Sequence, residues 1–326
     1  MIPGNSSSQS PGARFRAVLD TERPLLLVGA VNAYCARLAE AAGFKALYLS
    51  GAGVANASFG LPDLGITSLN DVCEDARRIT STTSLPLMVD ADTGWGGAFN
   101  IERTIRELIR AGAGGVQLED QVQAKRCGHR PNKEVVGTDE MIDRIKAAVD
   151  ARTDSTFVVM ARTDAYSNQG LAVAIERAQA YVDAGADMIF AEALTKLDEF
   201  AEFAKAVPVP VLANITEFGR TPLYTASDLG AVGIRVVLYP LSAFRAMSAA
   251  ALAVYREIRE HGTQAALLDR MQTREDLYRV LDYYAYEQKL DALFGPSVAK
   301  DFGETSASSV ESLSRGAREG RRVPPL

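Results

Sequence analysis

One cysteine of the chain lies among cationic side chains. In the sequence KRCGHR, Cys127 is preceded by Lys125 and Arg126 and followed by His129 and Arg130. Only the thiolate form of cysteine is a strong nucleophile or base, and nearby positive charges favour that form. A thiol that gains and loses its charge beside an anionic intermediate can act as a general acid or base. The pattern predicts a reactive Cys127, with His129 supporting the thiolate, binding a substrate carboxylate or serving only the structure.

Four carboxylates form a second candidate group, at Asp90, Asp92, Glu119 and Glu192. If they meet in one cleft of low dielectric constant, their like charges repel unless a cation lies between them. Magnesium, with manganese as a possible substitute, is the ion that suits oxygen ligands. Zinc is disfavoured because no His and Cys residues have the spacing of a zinc site. The alternative is that these residues cap helices and form loop salt bridges.

A third group could bind anions. Arg162 and Arg245 offer planar forks for a carboxylate or a phosphate. The turn at residues 50–53 (SGAG) offers a hydroxyl and backbone N–H groups, and Asn214 and Thr216 add neutral hydrogen-bonding groups. Together with a bound cation, these groups predict a small polyanionic substrate.

Eight short apolar runs end in or near most of these residues and predict the strands that position them. The runs are rich in Val, Ile and Leu and occupy residues 25–30, 46–51, 86–92, 114–120, 157–164, 188–193, 209–216 and 235–240. Continuous apolar runs are typical of parallel strands that are buried on both faces. Helix-period stretches such as NIERTIRELIRAG and LAVAIERAQAYVDAG separate them and end in Gly.

The alternation predicts an α/β fold, a (β/α)8 TIM barrel, whose chemistry lies at the carboxyl ends of the strands. A doubly wound sheet is the alternative, but the first run is not followed by G-x-G-x-x-G. We expect a flexible tail at 1–13, the barrel with extra C-terminal helices at 14–296, and a second flexible tail at 297–326. The tyrosine-rich C-terminal helices either pack on the barrel or form a subunit interface.

Composition excludes several classes of function. The net charge is −6, which argues against nucleic-acid or anionic-membrane binding, and no stretch approaches the roughly 18 apolar residues of a membrane span. Three widely spaced cysteines give no disulfide framework. We therefore expect a cytoplasmic protein whose partner is a small molecule.

At this point the sequence resembles a known family. KRCGHR matches the signature of the isocitrate lyase and phosphoenolpyruvate mutase superfamily, and LYLSGAGVA, VDADTGWGG, QLEDQ, MARTDA and LANITEFG follow its order and spacing. Within the superfamily, KRCGHRPNK and ANITEFG are most similar to the enzymes that cleave 2-methylisocitrate. The resemblance implies a helix-swapped homotetramer that uses magnesium to form pyruvate and succinate in the methylcitrate route of propionate breakdown.

The resemblance also implies roles for individual residues. Asp90, Asp92 and Glu119 match the metal site, and Cys127 matches the catalytic acid/base. Tyr48 matches a tyrosine near the reacting hydroxyl and, with Glu192, is a candidate for the base, while Arg162 stabilises the developing charge. Matched or expected substrate contacts are Ser50, Gly51, Ala52, Lys125, Arg126, Gly128, His129, Arg162, Glu192, Asn214, Thr216, Phe190 and Arg245.

Several alternatives stay open from the sequence. Phe190 stands where isocitrate lyases resemble one another in using a bulkier Trp, which leaves room for an extra methyl group, whereas Ala191 departs from the usual proline. Isocitrate, dimethylmalate or oxaloacetate are rival substrates, and a non-catalytic carboxylate-binding barrel is a rival from another class.

Overall fold

Eight parallel strands close into a barrel in sequence order, with β1 next to β8. The computed structural model describes residues 9–126, 128 and 133–295. The strands are β1 (Leu25–Gly29), β2 (Ala46–Leu49), β3 (Leu87–Asp90), β4 (Gly115–Glu119), β5 (Val158–Thr163), β6 (Met188–Ala191), β7 (Val211–Asn214) and β8 (Val236–Tyr239). Each strand lies inside one of the eight predicted runs, so the predicted (β/α)8 barrel is confirmed.

Helices occupy the connections between strands and both ends of the described chain. They are α1 (Pro11–Thr21), α2 (Ala33–Ala41), α3 (Gly51–Gly53), α4 (Leu69–Thr80), α5 (Ala98–Arg110), α6 (Thr138–Asp150), α7 (Tyr166–Asp183), α8 (Leu197–Ala206), α9 (Ala226–Ala231), α10 (Ser242–His261), α11 (Arg274–Leu281) and α12 (Tyr283–Phe294). The short α3 continues into a π-helical turn, Val54–Ser58. The predicted anion-binding turn at residues 50–53 is therefore the start of a short helical segment after β2.

The alternation of side chains along each strand divides the core into two layers. On β1, Leu25 and Leu27 point into the barrel and pack with Met88 and Met160. Residues of opposite parity, such as Val89, pack outward with the surrounding helices. This alternation is the ordinary two-residue period of a strand. A polar side chain of inward parity at a strand's end is therefore directed to the interior of the barrel.

Helix α1 packs at the amino-terminal end of the barrel. Phe15 is fully buried against the first residues of several strands, including Leu25 and Val158. A Cβ on Gly12 would lie 2.6 Å from the backbone N of Phe157, so the helix backbone lies against the start of β5. The end opposite the strands' carboxyl termini is thus filled by apolar packing, which leaves the other end for chemistry.

The chain forms two compact units, Met1–Gln264 and Ala265–Leu326. In the first unit, α10 has no buried residue along its 20 residues. In the second unit, the rings of Tyr278 and Tyr283 stack with centroids 4.2 Å apart. The predicted tail 297–326 lies outside the described residues, as does most of the tail 1–13, although α1 already begins at Pro11. No helix in the described ranges is long and apolar enough to cross a membrane.

Candidate active site

The carboxyl ends of the strands surround a cavity of about 290 Å³. This size suits a small organic molecule. The predicted site residues that line it are Tyr48, Ser50, Ala52, Asp90, Lys125, Arg126, Gly128, Arg162, Phe190, Glu192, Asn214, Thr216 and Arg245. The fold therefore brings together residues separated by up to about two hundred positions in the chain.

The other predicted site residues fall into two sets. Gly51, Asp92 and Glu119 lie next to Asp90, which lines the cavity, but do not line it themselves. Cys127 and His129 lie outside the described residues.

The three predicted metal ligands form one acidic cluster. One carboxylate oxygen from each of Asp90, Asp92 and Glu119 lies within 4.8 Å of the others, and all three residues are buried. Asp90 and Glu119 are the last residues of β3 and β4, whereas Asp92 follows β3 in a left-handed conformation with φ 48°. The Gly51 N–H donates to Asp90 Oδ2 over 3.1 Å. One amide of the predicted anion-binding turn therefore orients a candidate metal ligand.

Burial makes this cluster costly without a cation. Burial raises the pKa of Asp92 to about 6, although Lys125 opposes the shift. Burial likewise raises the pKa of Glu119 well above its usual range, against the opposing charges of Arg162 and Lys125. Among the described residues, Glu119 Oε1 has no hydrogen-bond partner. Three buried carboxylates with an orphaned oxygen fit a divalent cation, for which oxygen is the preferred donor.

Lys125 contributes one of the positive charges of this region. Its Nζ lies 2.7 Å from Asp92 Oδ1 and 2.5 Å from Asp63 Oδ1. Burial alone would lower the pKa of Lys125, but the attraction of Asp92 and Glu119 outweighs it and raises the pKa. Lys125 lines the cavity as predicted, yet its charge is directed to carboxylates of the protein. Asp63 was missed by the sequence analysis because the loop LPDLG has no periodic pattern.

Arg162 is fixed by carboxylates on both sides. Its Nε and Nη2 donate to Asp164 over 2.9 and 3.1 Å, which uses two of its five N–H donors. Glu119 and Glu192 approach the guanidinium to 3.5 and 3.7 Å. The Phe190 ring centroid lies 5.0 Å from its Cζ, a cation–π distance. The guanidinium is therefore held in one orientation at the cavity wall.

Gly128 brings the predicted catalytic loop close to these side chains. A Cβ at Gly128 would lie 2.3 Å from Arg162 Nη2 and 2.5 Å from Glu192 Oε1. A larger residue would displace these two side chains from their present contacts, so this close approach of the backbone favours glycine. The loop after β4 therefore contributes to the wall of the cavity.

The loops after β7 and β8 form the rim. Arg245 Nε lies 3.5 Å from Glu217 Oε2, and its Cζ lies 5.8 Å from the centroid of the Phe218 ring. Ser242 Oγ also donates to Glu217. The cavity-lining residues absent from the sequence prediction are Asp63, Glu217, Phe218, Gly219, Leu238, Pro240 and Leu241. Glu217 could have been predicted, because it is a polar residue that follows Thr216 shortly after the end of β7. The apolar residues had no comparable pattern in the sequence.

Comparison with known proteins places this barrel in a family. Residues 15–259 match the family described as phosphoenolpyruvate phosphomutase. The chain is 60% identical over 299 residues to 2-methylisocitrate lyase of Vibrio cholerae, which spans 90% of this chain and 97% of the relative. It is 59% identical to the Escherichia coli enzyme of the same name over 295 residues, which spans 90% and 100% of the two chains.

Solved structures show the same fold with other activities. A 2,3-dimethylmalate lyase superposes with a TM-score of 0.81 at 35% identity, covering 89% of this chain and 97% of its own. An oxaloacetate acetylhydrolase bound to 3,3-difluorooxalacetate superposes with a TM-score of 0.82 at 34% identity, covering 88% and 98%. The barrel architecture is thus common to enzymes that act on different small carboxylates.

A closed barrel with a buried acidic cluster at its carboxyl-terminal mouth is typical of the phosphoenolpyruvate mutase and isocitrate lyase superfamily, whose lyases use a divalent metal. Within that superfamily, the chain belongs to the 2-methylisocitrate lyase family and is a carbon–carbon lyase.

Proposed function

We propose that the protein cleaves 2-methylisocitrate into pyruvate and succinate in the methylcitrate route of propionate breakdown. The observation that carries the proposal is the convergence of the acidic cluster with Arg162, Glu192 and Gly128 at one cavity. The relatives named 2-methylisocitrate lyase and the small volume of the cavity support a small polycarboxylate as the substrate. A cytoplasmic location agrees with Cys35 and Cys73, which are buried free thiols.

Asp90, Asp92 and Glu119 would hold magnesium, with manganese as a possible substitute. When bound there, the ion lowers the pKa of a coordinated substrate hydroxyl and neutralises developing negative charge. The remaining requirements fall on side chains of this chain. They must orient the substrate, accept one proton, stabilise an anion and deliver one proton.

The proposed cleavage is a retro-aldol reaction. A base, for which Tyr48 and Glu192 are the candidates, removes the proton of the substrate hydroxyl. The bond between the hydroxyl-bearing carbon and its neighbour breaks, and its electron pair remains on the succinate fragment. Arg162, fixed by Asp164, stabilises the resulting charge. Cys127 supplies the proton that completes succinate.

The remaining predicted contacts bind the carboxylates of the substrate. Ser50, Ala52, Asn214 and Thr216 line the cavity with neutral hydrogen-bonding groups. Cationic contacts are proposed for Arg126, His129 and Arg245, whereas the Lys125 ammonium pairs with Asp63 and Asp92 at the same cavity. Phe190, together with Leu238 and Pro240, provides an apolar part of the wall where an extra methyl group of the substrate could pack.

The principal test compares four substrates. The purified protein is incubated with magnesium and, separately, with racemic 2-methylisocitrate, isocitrate, dimethylmalate and oxaloacetate, and the products are identified by mass spectrometry. Pyruvate and succinate from methylisocitrate, lost on chelation and in Cys127→Ser, are the expected result. Packing of one methyl group in an apolar pocket contributes about 1–3 kcal/mol, which is about 10- to 200-fold in kcat/KM. Glyoxylate from isocitrate at comparable efficiency would therefore contradict the role of Phe190. Failure on all four substrates would reject the proposed reaction.

We further propose a helix-swapped homotetramer. Helix α10 follows β8, where a barrel helix would cover the outer face of the neighbouring strands. Instead α10 has no buried residue and exposes Leu252, Tyr255 and Ile258. On the outer face of β1, Leu26 remains 38% exposed. An uncovered strand and an uncovered apolar helix are complementary if the helix packs on a second copy of the chain.

A further inference from the structure

Strand β4 contains an amide in the interior of the barrel. Gly115, Gln117 and Glu119 share the inward face of the strand, and Gln117 is fully buried. Its neighbours across the sheet are Asp90 on β3 and Met160 on β5. Interior positions of parallel barrels are normally apolar, so a buried amide requires a specific partner.

That partner is Tyr48. The Tyr48 hydroxyl donates to Gln117 Oε1 over 2.5 Å, and both residues are almost completely buried. A carboxamide oxygen accepts hydrogen bonds and does not donate them, so the phenolic proton is directed toward Gln117. Tyr48 also lines the cavity, whereas Gln117 does not. The tyrosine therefore lies between the amide and the space that the substrate would occupy.

We propose that Gln117 is a positioning residue, which directs the lone pairs of Tyr48 toward the cavity so that Tyr48 accepts a hydrogen bond from the substrate hydroxyl. The inference rests on the proposed function and resolves its choice of base. To remove a proton from the substrate, Tyr48 would first have to lose its own, and the amide that holds that proton cannot take it up. The substrate proton accordingly passes to the carboxylate of Glu192, which lines the same cavity, while Tyr48 keeps its O–H bond.

A purely structural role explains Gln117 less well. In the described part of the chain, Gln117 Nε2 is buried without a hydrogen-bond partner. An unpaired buried polar group destabilises a fold, and an apolar residue of the same shape would avoid that penalty. Gln117 is thus an unfavourable choice for packing alone, but a suitable one for orienting the hydroxyl of Tyr48.

The test is a double-mutant cycle between Tyr48→Phe and Gln117→Met. Methionine has about the length of glutamine but no amide. Each single variant is expected to lower kcat/KM, and the double variant to be no worse than Tyr48→Phe within about twofold, because both remove one interaction. Multiplying losses would overturn the proposal. The double variant should unfold at the same or a higher temperature than Tyr48→Phe, because neither buried partner is then left unpaired, whereas a role of Gln117 in packing requires a lower one.

Met160→Leu is the matched control for the cycle. Met160 is another fully buried interior residue, on the adjacent strand, and the substitution preserves volume. Its effect on kcat/KM is expected to be small and to multiply with that of Tyr48→Phe. A loss equal to that of Gln117→Met, which also disappears in the Tyr48→Phe background, would assign the effect to general repacking and overturn the proposal.

A binding measurement separates this inference from the proposed reaction. Calorimetry with magnesium compares malate, which carries a 2-hydroxyl, with succinate, which does not. The wild type is expected to prefer malate, and Tyr48→Phe and Gln117→Met each to reduce that preference about fivefold, the value of one hydrogen bond, with no further loss in the double variant. An unchanged preference in Gln117→Met, or none in the wild type, would overturn the inference. This result stands even if the wild type cleaves none of the four candidate substrates, which would reject only the proposed reaction.

Discussion

At the scale of single residues, the site depends on groups that are held by protein partners. Arg162 is bonded to Asp164 and flanked by Glu119 and Glu192, and the backbone at Gly128 lies against the same guanidinium. Such contacts orient charge before the substrate binds, so little reorganisation is needed during the reaction. A small change on the cavity side of this network, at Gly128, should therefore affect catalysis more than folding.

Gly128→Ala tests the close approach of the catalytic loop. The added methyl group would overlap Arg162 and Glu192, so we expect kcat/KM to fall by about 100-fold or more, the scale of a 1 Å misplacement at a reacting centre. The thermal midpoint should change little, because the substitution removes no buried apolar group. Gly137→Ala, later in the same connection and with no atom within 4 Å of its added Cβ, is the control. Equal losses of activity in the two variants would contradict the steric explanation.

Asp164→Asn tests the charge network beneath the site. Asp164 accepts hydrogen bonds from Arg162 and from Lys133 Nζ, the latter over 2.5 Å. Removing its charge leaves two buried cations less well paired, and we expect the free energy of unfolding to fall by about 3–5 kcal/mol. Denaturant unfolding at neutral pH measures the difference. Asp183→Asn, on the exposed face of α7, should have almost no effect.

The stability difference between the wild type and Asp164→Asn should also depend on pH. Burial alone would raise the pKa of Asp164, but Arg162 and Lys133 outweigh it and hold the pKa below its usual value of 3.8. A depressed pKa means that the unfolded chain binds this proton more readily, so the stabilisation is present above pH 3.8 and is lost as the pH falls below it. The stability difference between the wild type and Asp164→Asn should therefore narrow below that pH. A constant difference down to the acid transition would contradict this account.

At the scale of elements, the two ends of the barrel have different tasks. The carboxyl ends of the strands carry polar groups, and the amino ends pack against α1 through Phe15. Stability and chemistry are thereby separated along the strand axis. Substitutions in α1 should therefore change the stability of the protein without changing its activity.

Phe15→Ala is expected to lower the free energy of unfolding by about 3–5 kcal/mol, because it leaves a cavity in fully buried packing. At a temperature where the variant is folded, its kcat/KM should equal that of the wild type, since the site lies at the opposite end. Val18→Ala, at a half-buried position of the same helix, should have a smaller effect on stability. Loss of activity in the folded Phe15→Ala protein would show that the two ends are coupled.

At the scale of the whole molecule, the barrel unit exposes apolar side chains that the proposed tetramer would cover. Leu26 on β1 and the apolar residues of α10 are exposed although both belong to the barrel unit. Exposed apolar side chains that lie together on a surface favour a protein interface. The proposed exchange of α10 between copies would bury both surfaces.

Leu252→Glu tests this interface. Light scattering coupled to size exclusion should give a tetramer for the wild type and smaller species for the variant, because a charge in an apolar interface is costly. Glu260→Gln, at an exposed polar position of the same helix, should keep the wild-type mass. A wild-type monomer, or a variant of unchanged mass, would reject the exchange of α10.

The sequence by itself determined the barrel and much of the site's membership. Eight apolar runs contained all eight strands, because strands buried on both faces must be continuously apolar. Residues at the ends of those runs, such as Asp90 and Arg162, lie at the cavity because parallel strands of a barrel end on one side. These properties follow from local pattern and topology, which a sequence displays directly.

Only the tertiary structure decided which partners hold these residues. The contacts of Lys125 with Asp63, and of Tyr48 with Gln117, join positions 62 and 69 residues apart. The preference for glycine at 128 likewise arises from side chains on β5 and beyond β6. Such pairings depend on side-chain packing between distant segments. No periodic pattern along the chain predicts which side chains will pack together. The barrel topology could therefore be predicted, whereas the orientation of the groups that line the cavity could not.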